Sequence, residues 1–379
     1  MENTDFDAKV GRVADLILGS ARIVVFTGAG VSTESGIPDF RSPGGIWSRF
    51  DPDDFTIYRF LESPETRRKT WELFGGSGVI ADAEPNPAHR AIYELEKANS
   101  LDCVITQNID DLHQKAGCSP EKVVELHGNM KWVRCLGCGR RLRMETVKEW
   151  LRAGVAVPEC DECSGILKPD VVYFGESLPR EALDKAIHHS RHCDLFMVIG
   201  SSLSVYPAAY MPVYAIESGA RLVVVNATST FCDDQAEVVI NGKAGVVMER
   251  IVEEATRIFE SYTVLPNHRY YISGAELYPG ALIGIDRAYT LDTELWKEVE
   301  MTVEKLKETV NDMKSKGLEV GEFLYGFDIL DNQGKKVGIW YSILRARTSL
   351  KMLGENRVMI YTPPLNVWEK QQDRTFRPK

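Results

Sequence analysis

The sequence lacks the features of membrane and secreted proteins. None of its apolar stretches reaches the roughly 18 uninterrupted residues of a membrane span, and the opening segment MENTDFDAKVGRVADL contains no apolar signal core. Its 8 cysteines are too few and too clustered for a secreted disulfide framework. We therefore expect a cytoplasmic protein that does not insert into a membrane.

The sequence also lacks a basic excess, internal repeats and low-complexity segments. The formal net charge is -10, and because residues from Tyr262 onward carry 17 basic and 16 acidic side chains, residues 1 to 261 carry -11. Neither part shows the surplus of Lys and Arg that holds duplex phosphate, so the composition argues against direct nucleic-acid binding. A length of 379 residues predicts two or three domains.

What the sequence does contain is an alternation of β-branched runs with helical stretches. Continuous apolar runs are typical of strands buried on both faces of a parallel sheet. The runs are ARIVVFT, DCVITQN, KVVEL, DLFMVIG, RLVVVN and EVVI. Segments such as HRAIYELEKA between them have helical periodicity. This order predicts an α/β fold with a doubly wound parallel sheet, whose ligands bind beyond the carboxyl ends of the strands.

Two regions break this alternation. Residues 128 to 168 have little apolar periodicity and look like a small inserted module. From residue 262 the pattern changes to that of a separate α+β domain of unknown function, with a strand at ALIGIDRAYT, an amphipathic helix between Asp292 and Gly317, and a hairpin of EFLYGFDIL and KVGIWYSIL. We therefore expect a domain at 1–261 and a second at 262–379. The sequence leaves open whether the second domain binds a partner, self-associates or covers a cleft.

The first strand runs into a loop with the composition of a binding site. Thr27-Gly28-Ala29-Gly30 forms a turn at which backbone N–H groups can approach a pyrophosphate. The GAG triplet alone is a weak signal, because a tight structural turn explains it equally well. The long Gly- and Pro-rich loop that follows sets an acid, an aromatic ring and a base side by side, at Asp39, Phe40 and Arg41. A purely structural loop seldom needs that trio.

Two further polar groups follow strands. Asn108 and Asp110 could hold an amide such as nicotinamide, or a ribose hydroxyl, although helix capping by Asp110 or Asp111 explains the carboxylates equally well. His127 comes directly after KVVEL and before Gly128. At this position an imidazole has room for a substrate and can titrate near neutral pH, so His127 is the candidate general base among the 7 histidines.

Two CxxC pairs predict a structural zinc ion. Cys135 and Cys138 are separated from Cys160 and Cys163 by 21 residues, close to the spacing of zinc ribbons. Four thiolates leave no open position for a water molecule, so the ion would be structural and not catalytic. A redox dithiol would need only one of the pairs.

Taken in order, these motifs resemble those of the sirtuins, the NAD-dependent protein lysine deacylases. The resemblance covers residues 8 to 257 and rests on GAGVSTESGIPDFRSPGGIW, TQNIDDLH, ELHGN, the two CxxC pairs, KPDVVYFGESLP, GSSLSVYPA, VVNAT and INGKAG. It implies a Rossmann-like sheet with a small inserted zinc domain. The tail after residue 262 resembles no family that we recognise.

The resemblance also implies a role for particular residues. His127 would be the general base, Asn108 and Asp110 would hold the nicotinamide amide and its ribose, and Phe40 would shield the site after nicotinamide leaves. The cofactor site would be lined by Gly28, Ala29, Gly30, Asp39, Phe40, Arg41, Gln107, Asn108, Ile109, Asp110, Gly200, Ser201, Ser202, Asn226 and Ala244. The acyl-lysine peptide would add as a strand along Val172, Phe174, Gly175 and Glu176.

The implied reaction transfers the acyl group from lysine to ADP-ribose and releases nicotinamide and O-acyl-ADP-ribose. Family members that remove succinyl or malonyl groups carry a Tyr and an Arg in the acyl pocket, a few residues after a Trp-Glu pair. Here Trp71-Glu72 is followed by Leu-Phe-Gly-Gly-Ser, which has no cation. The resemblance therefore implies a neutral acyl group such as acetyl. Two alternatives stay open at this point. One is an ADP-ribosyltransferase or NAD hydrolase, and the other is a non-catalytic module that senses NAD.

Overall fold

The chain contains a parallel α/β sheet, a small antiparallel module and a strand-rich tail. The structure is a computed structural model that describes residues 2–20, 22–75, 82–98 and 100–260, and strands of the tail. Its helices are α1 (Glu2–Leu18), α2 (Ile57–Glu62), α3 (Pro64–Gly75), α4 (Pro87–Lys97), α5 (Leu112–Lys115), α6 (Met144–Arg152), α7 (Arg180–Arg191), α8 (Met211–Glu217) and α9 (Ala244–Glu260). Within these ranges no helix has the length and apolar character to cross a bilayer.

The strands β1 to β9 form two sheets. They are β1 (Ile23–Thr27), β2 (Leu101–Thr106), β3 (Val123–Glu125), β4 (Gly128–Cys135), β5 (Arg141–Arg143), β6 (Leu167–Val171), β7 (Leu195–Ile199), β8 (Arg221–Asn226) and β9 (Val238–Asn241). The larger sheet has the order β3-β2-β1-β7-β8-β9, and each pair of adjacent strands in it is parallel. The six predicted runs are thus confirmed as strands of one doubly wound sheet.

The core of the sheet explains why those runs are continuously apolar. Phe26 and Phe196 stack at a centroid distance of 6.2 Å on one face, where residues of α7 and α8 join them. Val25, Val104 and Met197 alternate with them and are equally buried. Since both faces are covered, every side chain of β1 and β7 is excluded from water.

The register of the parallel strands places their carboxyl ends at one level. Thr27 lies opposite Thr106 on one side and Ile199 on the other, while Thr106 lies opposite Glu125. The segments after these strands therefore open at the same edge of the sheet. This is the edge at which ligands of such sheets bind.

The inserted module is a three-stranded antiparallel sheet of order β5-β4-β6, with α6 beside it. Val133, Leu142, Val147 and Leu167 form its core, and Trp71 of α3 packs into the same cluster. These strands begin at Gly128, and the last of them, β6, ends at Val171. The module bounds of 128 and 168 stay a prediction.

The tail contains β10 (Thr263–Ser273), β11 (Glu276–Pro279), β12 (Val299–Thr302), β13 (Glu322–Leu330), β14 (Lys336–Arg345), β15 (Ser349–Gly354), β16 (Arg357–Tyr361) and β17 (Phe376–Pro378). They form two sheets, β11-β10-β13-β14-β17 and β12-β16-β15. The predicted hairpin is confirmed as β13 and β14, which pair antiparallel.

Part of the tail prediction is wrong. The expected helix between Asp292 and Gly317 is a strand at Val299–Thr302, where pairing with β16 prevails over the apolar periodicity. The rest of that segment and ALIGIDRAYT lie outside the described residues. The chain divides into two compact units, Met1–Val13 with Arg22–Glu253 and Ala14–Ala21 with Glu254–Lys379. The domain boundary at 261 and 262 stays a prediction.

At the ligand edge, the loop after β1 forms backbone hydrogen bonds with the end of β7 and the loop after it. Gly30 N–H donates to Gly200 O over 2.8 Å, and Gly28 N–H donates to Ile199 O over 3.3 Å. Gly200 has φ +61, and a Cβ atom there would lie 2.2 Å from the backbone nitrogen of Val31. Only glycine can occupy this position without moving the neighbouring loop.

We expect Gly200→Ala to lower the free energy of unfolding by about 2 kcal/mol or more. Alanine is strained in the left-handed conformation of this residue, and its Cβ atom would clash with the backbone of Val31. Urea unfolding followed by circular dichroism measures this change. Gly11→Ala is the matched control, since a Cβ on this residue of α1 meets nothing within 4 Å and a helical alanine should stabilise by about 0.5–1 kcal/mol. Equal unfolding midpoints for the two variants would contradict the close contact.

Candidate active site

The loop after β1 is held in place by its own acid. Asp39 Oδ1 accepts hydrogen bonds from the backbone N–H groups of Arg41 and Ser42, at 3.1 Å and 2.8 Å, and its carbonyl accepts from Ile46 N–H at 2.8 Å. The Arg41 side chain is exposed and pairs with no carboxylate in the part of the chain that is described. Asp39 thus shapes the loop, and the guanidinium of Arg41 is available for a phosphate.

Phe40 forms one end of a chain of aromatic rings. It is 37% exposed and lies 5.1 Å from Trp47 between ring centroids. Trp47 also lies 5.2 Å from Phe55 and 6.1 Å from Phe174. These contacts join the loop after β1 to the segment predicted to bind a peptide.

Asn108 and Asp110 meet at a serine that sequence reasoning missed. Ser32 Oγ donates to Asp110 Oδ2 over 2.7 Å and accepts from Asn108 Nδ2 over 3.1 Å. Asn108 Nδ2 also donates to Gly28 O over 3.2 Å, while Asp110 Oδ1 accepts from Leu112 N–H over 3.0 Å. The last bond shows that Asp110 also supports the start of α5. The binding and capping interpretations of this carboxylate are therefore compatible.

His127 is oriented by the backbone of Gln107. Its Nδ1 lies 2.9 Å from Gln107 O. A carbonyl can only accept, so Nδ1 carries the proton in the neutral ring and Nε2 is left as the base. Burial lowers the pKa of His127 below its ordinary value of 6.5, against the opposing effect of the Gln107 carbonyl. The imidazole is therefore neutral and able to accept a proton at neutral pH.

A buried hydroxyl pair supports the backbone beside Asn108. Thr27 Oγ1 donates to Thr106 Oγ1 over 2.8 Å, and Thr106 Oγ1 accepts Asn108 N–H over 3.0 Å. His113 Nε2 lies 3.0 Å from Thr27 Oγ1, and burial lowers the pKa of His113 to about 4. This histidine is hence neutral at physiological pH and can donate to Thr27 through Nε2–H.

The other predicted cofactor residues lie at the same edge of the sheet. Gln107 Nε2 donates to Ser201 Oγ over 2.9 Å, and Ile109 O accepts from Met130 N–H over 3.2 Å. Asn226 is buried at the end of β8, where its carbonyl accepts from Gly242 N–H. Ala244 begins α9, whose next N–H donates to Glu34 Oε2 over 2.6 Å. Gly28, Ala29, Gly30, Gly200 and the exposed Ser202 belong to the loops after β1 and β7.

The predicted peptide segment begins beside the candidate base. Val172 N–H donates to His127 O over 2.8 Å. Both backbone polar groups of Phe174 already have partners. Its N–H donates to Phe55 O and its carbonyl accepts from Ile57 N–H, each at 3.0 Å. Main-chain bonds to an added strand would therefore come from other residues of the segment, among them Gly175, which has φ +88.

Glu176 turns its carboxylate toward the protein. Its Oε2 accepts from Tyr173 N–H over 2.7 Å and pairs with Lys168 Nζ at 3.0 Å. Lys168 is only 6% exposed and also donates to the carbonyl of Val171 over 2.5 Å. Burial lowers the pKa of Lys168, an effect that the charge of Glu176 opposes. This ion pair, which the sequence did not reveal, fixes the bend of residues 171 to 176.

The four cysteines of the CxxC pairs converge. Their Sγ atoms lie within 4.8 Å of one another, with 3.4 Å between Cys135 and Cys163 and 3.7 Å between Cys138 and Cys160. Zn–S bonds of about 2.3 Å in a tetrahedron require sulfur atoms about 3.8 Å apart. The N–H of Gly137 points at Cys135 Sγ over 3.4 Å, as suits a thiolate. The residues therefore fit a zinc ion, which would join β4 to the segment before β6.

Sequence comparison identifies the relatives of this chain. A model of the Sir2 family matches residues 28–207. The NAD-dependent protein deacetylase 1 of Pyrobaculum aerophilum is 43% identical over 246 residues, which cover 65% of this chain and 94% of that protein. The NAD-dependent protein deacylase 2 of Archaeoglobus fulgidus is 45% identical over 252 residues, or 66% of this chain and 97% of that one. The chain belongs to the Sir2 family.

Solved structures of the Sir2 family agree with this assignment. One, described as the "Structural Basis for the Mechanism and Regulation of Sir2 Enzymes", matches with a TM-score of 0.61 and 43% identity over 66% of this chain and 99% of its own. Another, "Sir2-p53 peptide-NAD+", matches with a TM-score of 0.59 and 40% identity over 64% of this chain and 97% of its own. These matches leave about a third of the chain without a counterpart.

We expect Cys138→Ser to lose the zinc ion and to lower the unfolding temperature, since three thiolates and a hydroxyl form a weaker site. Metal analysis of the purified protein should give one zinc per wild-type chain and markedly less in the variant. Cys118→Ser is the control, because Cys118 is a buried thiol outside the cluster and its loss should leave the zinc content unchanged. A full complement of zinc in Cys138→Ser would rule out the four-thiolate site.

Proposed function

We propose that this Sir2-family protein is an NAD-dependent protein lysine deacetylase. It transfers the acyl group of an acyl-lysine to ADP-ribose, consumes NAD as a co-substrate and releases nicotinamide. Relatives that are 43% and 45% identical carry the names deacetylase and deacylase. We assign the activity to the domain predicted at residues 1–261, with the zinc ion in a structural role.

The observation that carries the proposal is the orientation of His127. Its Nδ1 is bonded to Gln107 O, one residue before Asn108. A general base with a single free nitrogen therefore lies beside the loop after β2, which presents the amide of Asn108 and the carboxylate of Asp110.

In this proposal the chain acts mainly by positioning its substrates. Asn108 and Asp110 hold the nicotinamide amide and its ribose, with Ser32 fixing both side chains, and Arg41 meets the phosphates. The acyl oxygen of the lysine substrate attacks the ribose carbon as the bond to nicotinamide breaks. Phe40 then covers the reactive sugar and keeps water away from it.

His127 handles the proton of the reaction. Its Nε2 accepts a proton from the ribose hydroxyls, which allows a hydroxyl oxygen to bond to the acyl carbon. The acyl group moves to the sugar, and water releases lysine and O-acyl-ADP-ribose. Val172 brings the peptide next to this histidine through its bond to the His127 carbonyl.

The surroundings of α3 support a neutral acyl group. Arg68 is bonded to Glu65 over 2.9 Å and is also paired with Glu72. The guanidinium of Arg67 donates to the carbonyls of Phe60 and Leu61, each at 2.9 Å. Because these two cations already have partners, neither is left to bind a carboxylate on the acyl chain. We therefore infer a preference for acetyl over succinyl or malonyl.

Two parts of the proposal concern the chain as a whole. We infer that the enzyme acts in the cytoplasm, as its composition suggests. We also propose that residues 262–379 bind a protein partner or mediate self-association, because this region lies beyond the length shared with these relatives.

We expect the purified protein, given NAD and an acetyl-lysine peptide, to form free nicotinamide and O-acetyl-ADP-ribose. Mass spectrometry of the products measures both, and His127→Ala should lower their formation by 100-fold or more, on the order of the contribution of a general base. His188→Ala is the control, since His188 is exposed on α7. Free ADP-ribose with an unmodified peptide would contradict deacetylation and favour NAD hydrolysis.

We expect activity to persist at mildly acidic pH. The base acts only when it is unprotonated, and burial lowers the pKa of His127 below 6.5, so kcat/KM should decline only when the pH falls through a value lower than that. A pH profile of kcat/KM between about pH 5 and pH 8 measures this. An acidic limb with an apparent pKa of 6.5 or higher would disprove the assigned state of His127.

A further inference from the structure

The zinc module contains a local concentration of positive charge. Between Gly128 and Met144 the sequence GNMKWVRCLGCGRRLRM has 5 basic side chains and no acidic one. The surrounding residues 1 to 261 carry a net charge of -11. The overall charge therefore conceals a basic segment, which lies on β4, β5 and the turn between them.

The register of β4 and β5 collects part of this charge on one face. Val133 and Leu142 pair with each other and point into the core of the module. The flanking pairs, Trp132 with Arg143 and Arg134 with Arg141, therefore point to the opposite side. We call Trp132, Arg134, Arg141 and Arg143 the cationic sheet face.

Trp132 holds two guanidinium groups over its ring. The Arg141 Cζ atom lies 4.6 Å from the ring centroid and that of Arg143 lies 4.9 Å from it. Contacts of this kind restrict the arginine side chains before any ligand arrives. Less conformational entropy is then lost when a carboxylate binds.

The positive charge of this face is only partly balanced. Asp170 is shared by Arg134, at 3.3 Å, and Arg141, at 2.9 Å, and these arginine side chains remain 54% and 47% exposed. Arg143 has no ion-pair partner among the described residues. The remaining basic residues of the segment are neutralised elsewhere, Lys131 by Asp111 and Arg140 by Asp161 and Glu162. Three guanidinium groups thus face one carboxylate.

The face adjoins the segment that we propose for peptide binding. Asp170 lies on β6, two residues before Val172, which bonds to His127 O. Two extended residues span about 7 Å, so a side chain a few positions from the acyl-lysine could reach Arg134 or Arg141. At physiological salt this distance is close to the Debye length of about 8 Å, so the charges still interact.

We propose that the cationic sheet face recognises acidic residues that flank the acyl-lysine in the protein substrate. This inference rests on the proposed deacetylase function and adds a substrate class to it. Binding of the peptide along residues 172 to 176 would hold its acidic stretch beside the cationic sheet face. A nucleic acid would not be held in this way and would be repelled by the net charge of -10. The substrates are therefore acetylated segments rich in Asp and Glu.

The test compares two acetyl-lysine peptides that differ only in their flanks, Asp and Glu in one and Asn and Gln in the other. At about 50 mM salt we expect a kcat/KM roughly 5-fold higher for the acidic peptide, and little preference at about 500 mM, since exposed charge pairs are weak and screened. Arg143→Gln together with Arg141→Gln should abolish the preference and leave activity on the amide peptide unchanged. Arg143→Lys with Arg141→Lys should restore most of it.

Arg250→Gln is the matched control, because Arg250 is an exposed arginine on α9 that is 52% accessible, and the variant should keep the wild-type preference. Equal kcat/KM values for the two peptides in the wild type, or a preference that survives the double Gln substitution, would overturn the inference. Tighter binding of a single-stranded oligonucleotide than of the acidic peptide, lost in the double variant, would also overturn it in favour of nucleic acid.

Failure of the proposed function is distinguishable from failure of this inference. If neither peptide loses its acetyl group, the deacetylase assignment fails, and fluorescence anisotropy of the two labelled peptides still tests the face. A higher affinity for the acidic peptide that disappears in the double Gln variant would support the inference in that case. Equal affinities would reject it.

Discussion

The arrangement of the candidate site depends on the hydrogen bonds of Gln107. Its N–H donates to Thr27 O, its amide donates to Ser201 Oγ and its carbonyl accepts from His127. One residue thereby ties together the end of β1 and the loops after β2, β3 and β7. These bonds are geometrically possible because the parallel register ends those strands at one level. A shift of a single strand would separate the base from the groups proposed to hold the nucleotide.

Hydrogen bonds between neutral groups dominate the interior of the site. Thr27, Thr106 and His113 are buried and interact as uncharged groups, and burial keeps the pKa of His113 far below neutrality. The buried carboxylate of Asp110 is satisfied by Ser32 Oγ and Leu112 N–H. Because the hydroxyls of Thr27, Thr106 and Ser32 are all hydrogen-bonded, these side chains have little freedom to reorient. Such preorganisation is what a reaction with an unstable sugar cation requires.

The sequence was sufficient for features with a local signal. Continuous β-branched runs identified the strands of the sheet, and the spacing of the CxxC pairs identified the cluster of Cys135, Cys138, Cys160 and Cys163. Both signals depend on residues that are near one another in the chain. Ser32 and Lys168 could not be found in this way, since their partners Asp110 and Glu176 are brought to them by folding. The strand at Val299–Thr302 was missed because its pairing with β16 is a long-range interaction that periodicity does not reveal.

The zinc module connects stability to substrate choice. A zinc ion bound by the four cysteines would fix the turn that follows β4, and Cys160 precedes the return of the chain into β6. β6 in turn carries Lys168 and Asp170, which face the bend at Glu176 and the cationic sheet face respectively. Loss of the metal would therefore disturb both surfaces that we propose for the substrate, while the parallel sheet, with a separate core, could still hold NAD. Metal content should thus influence peptide affinity more than cofactor affinity.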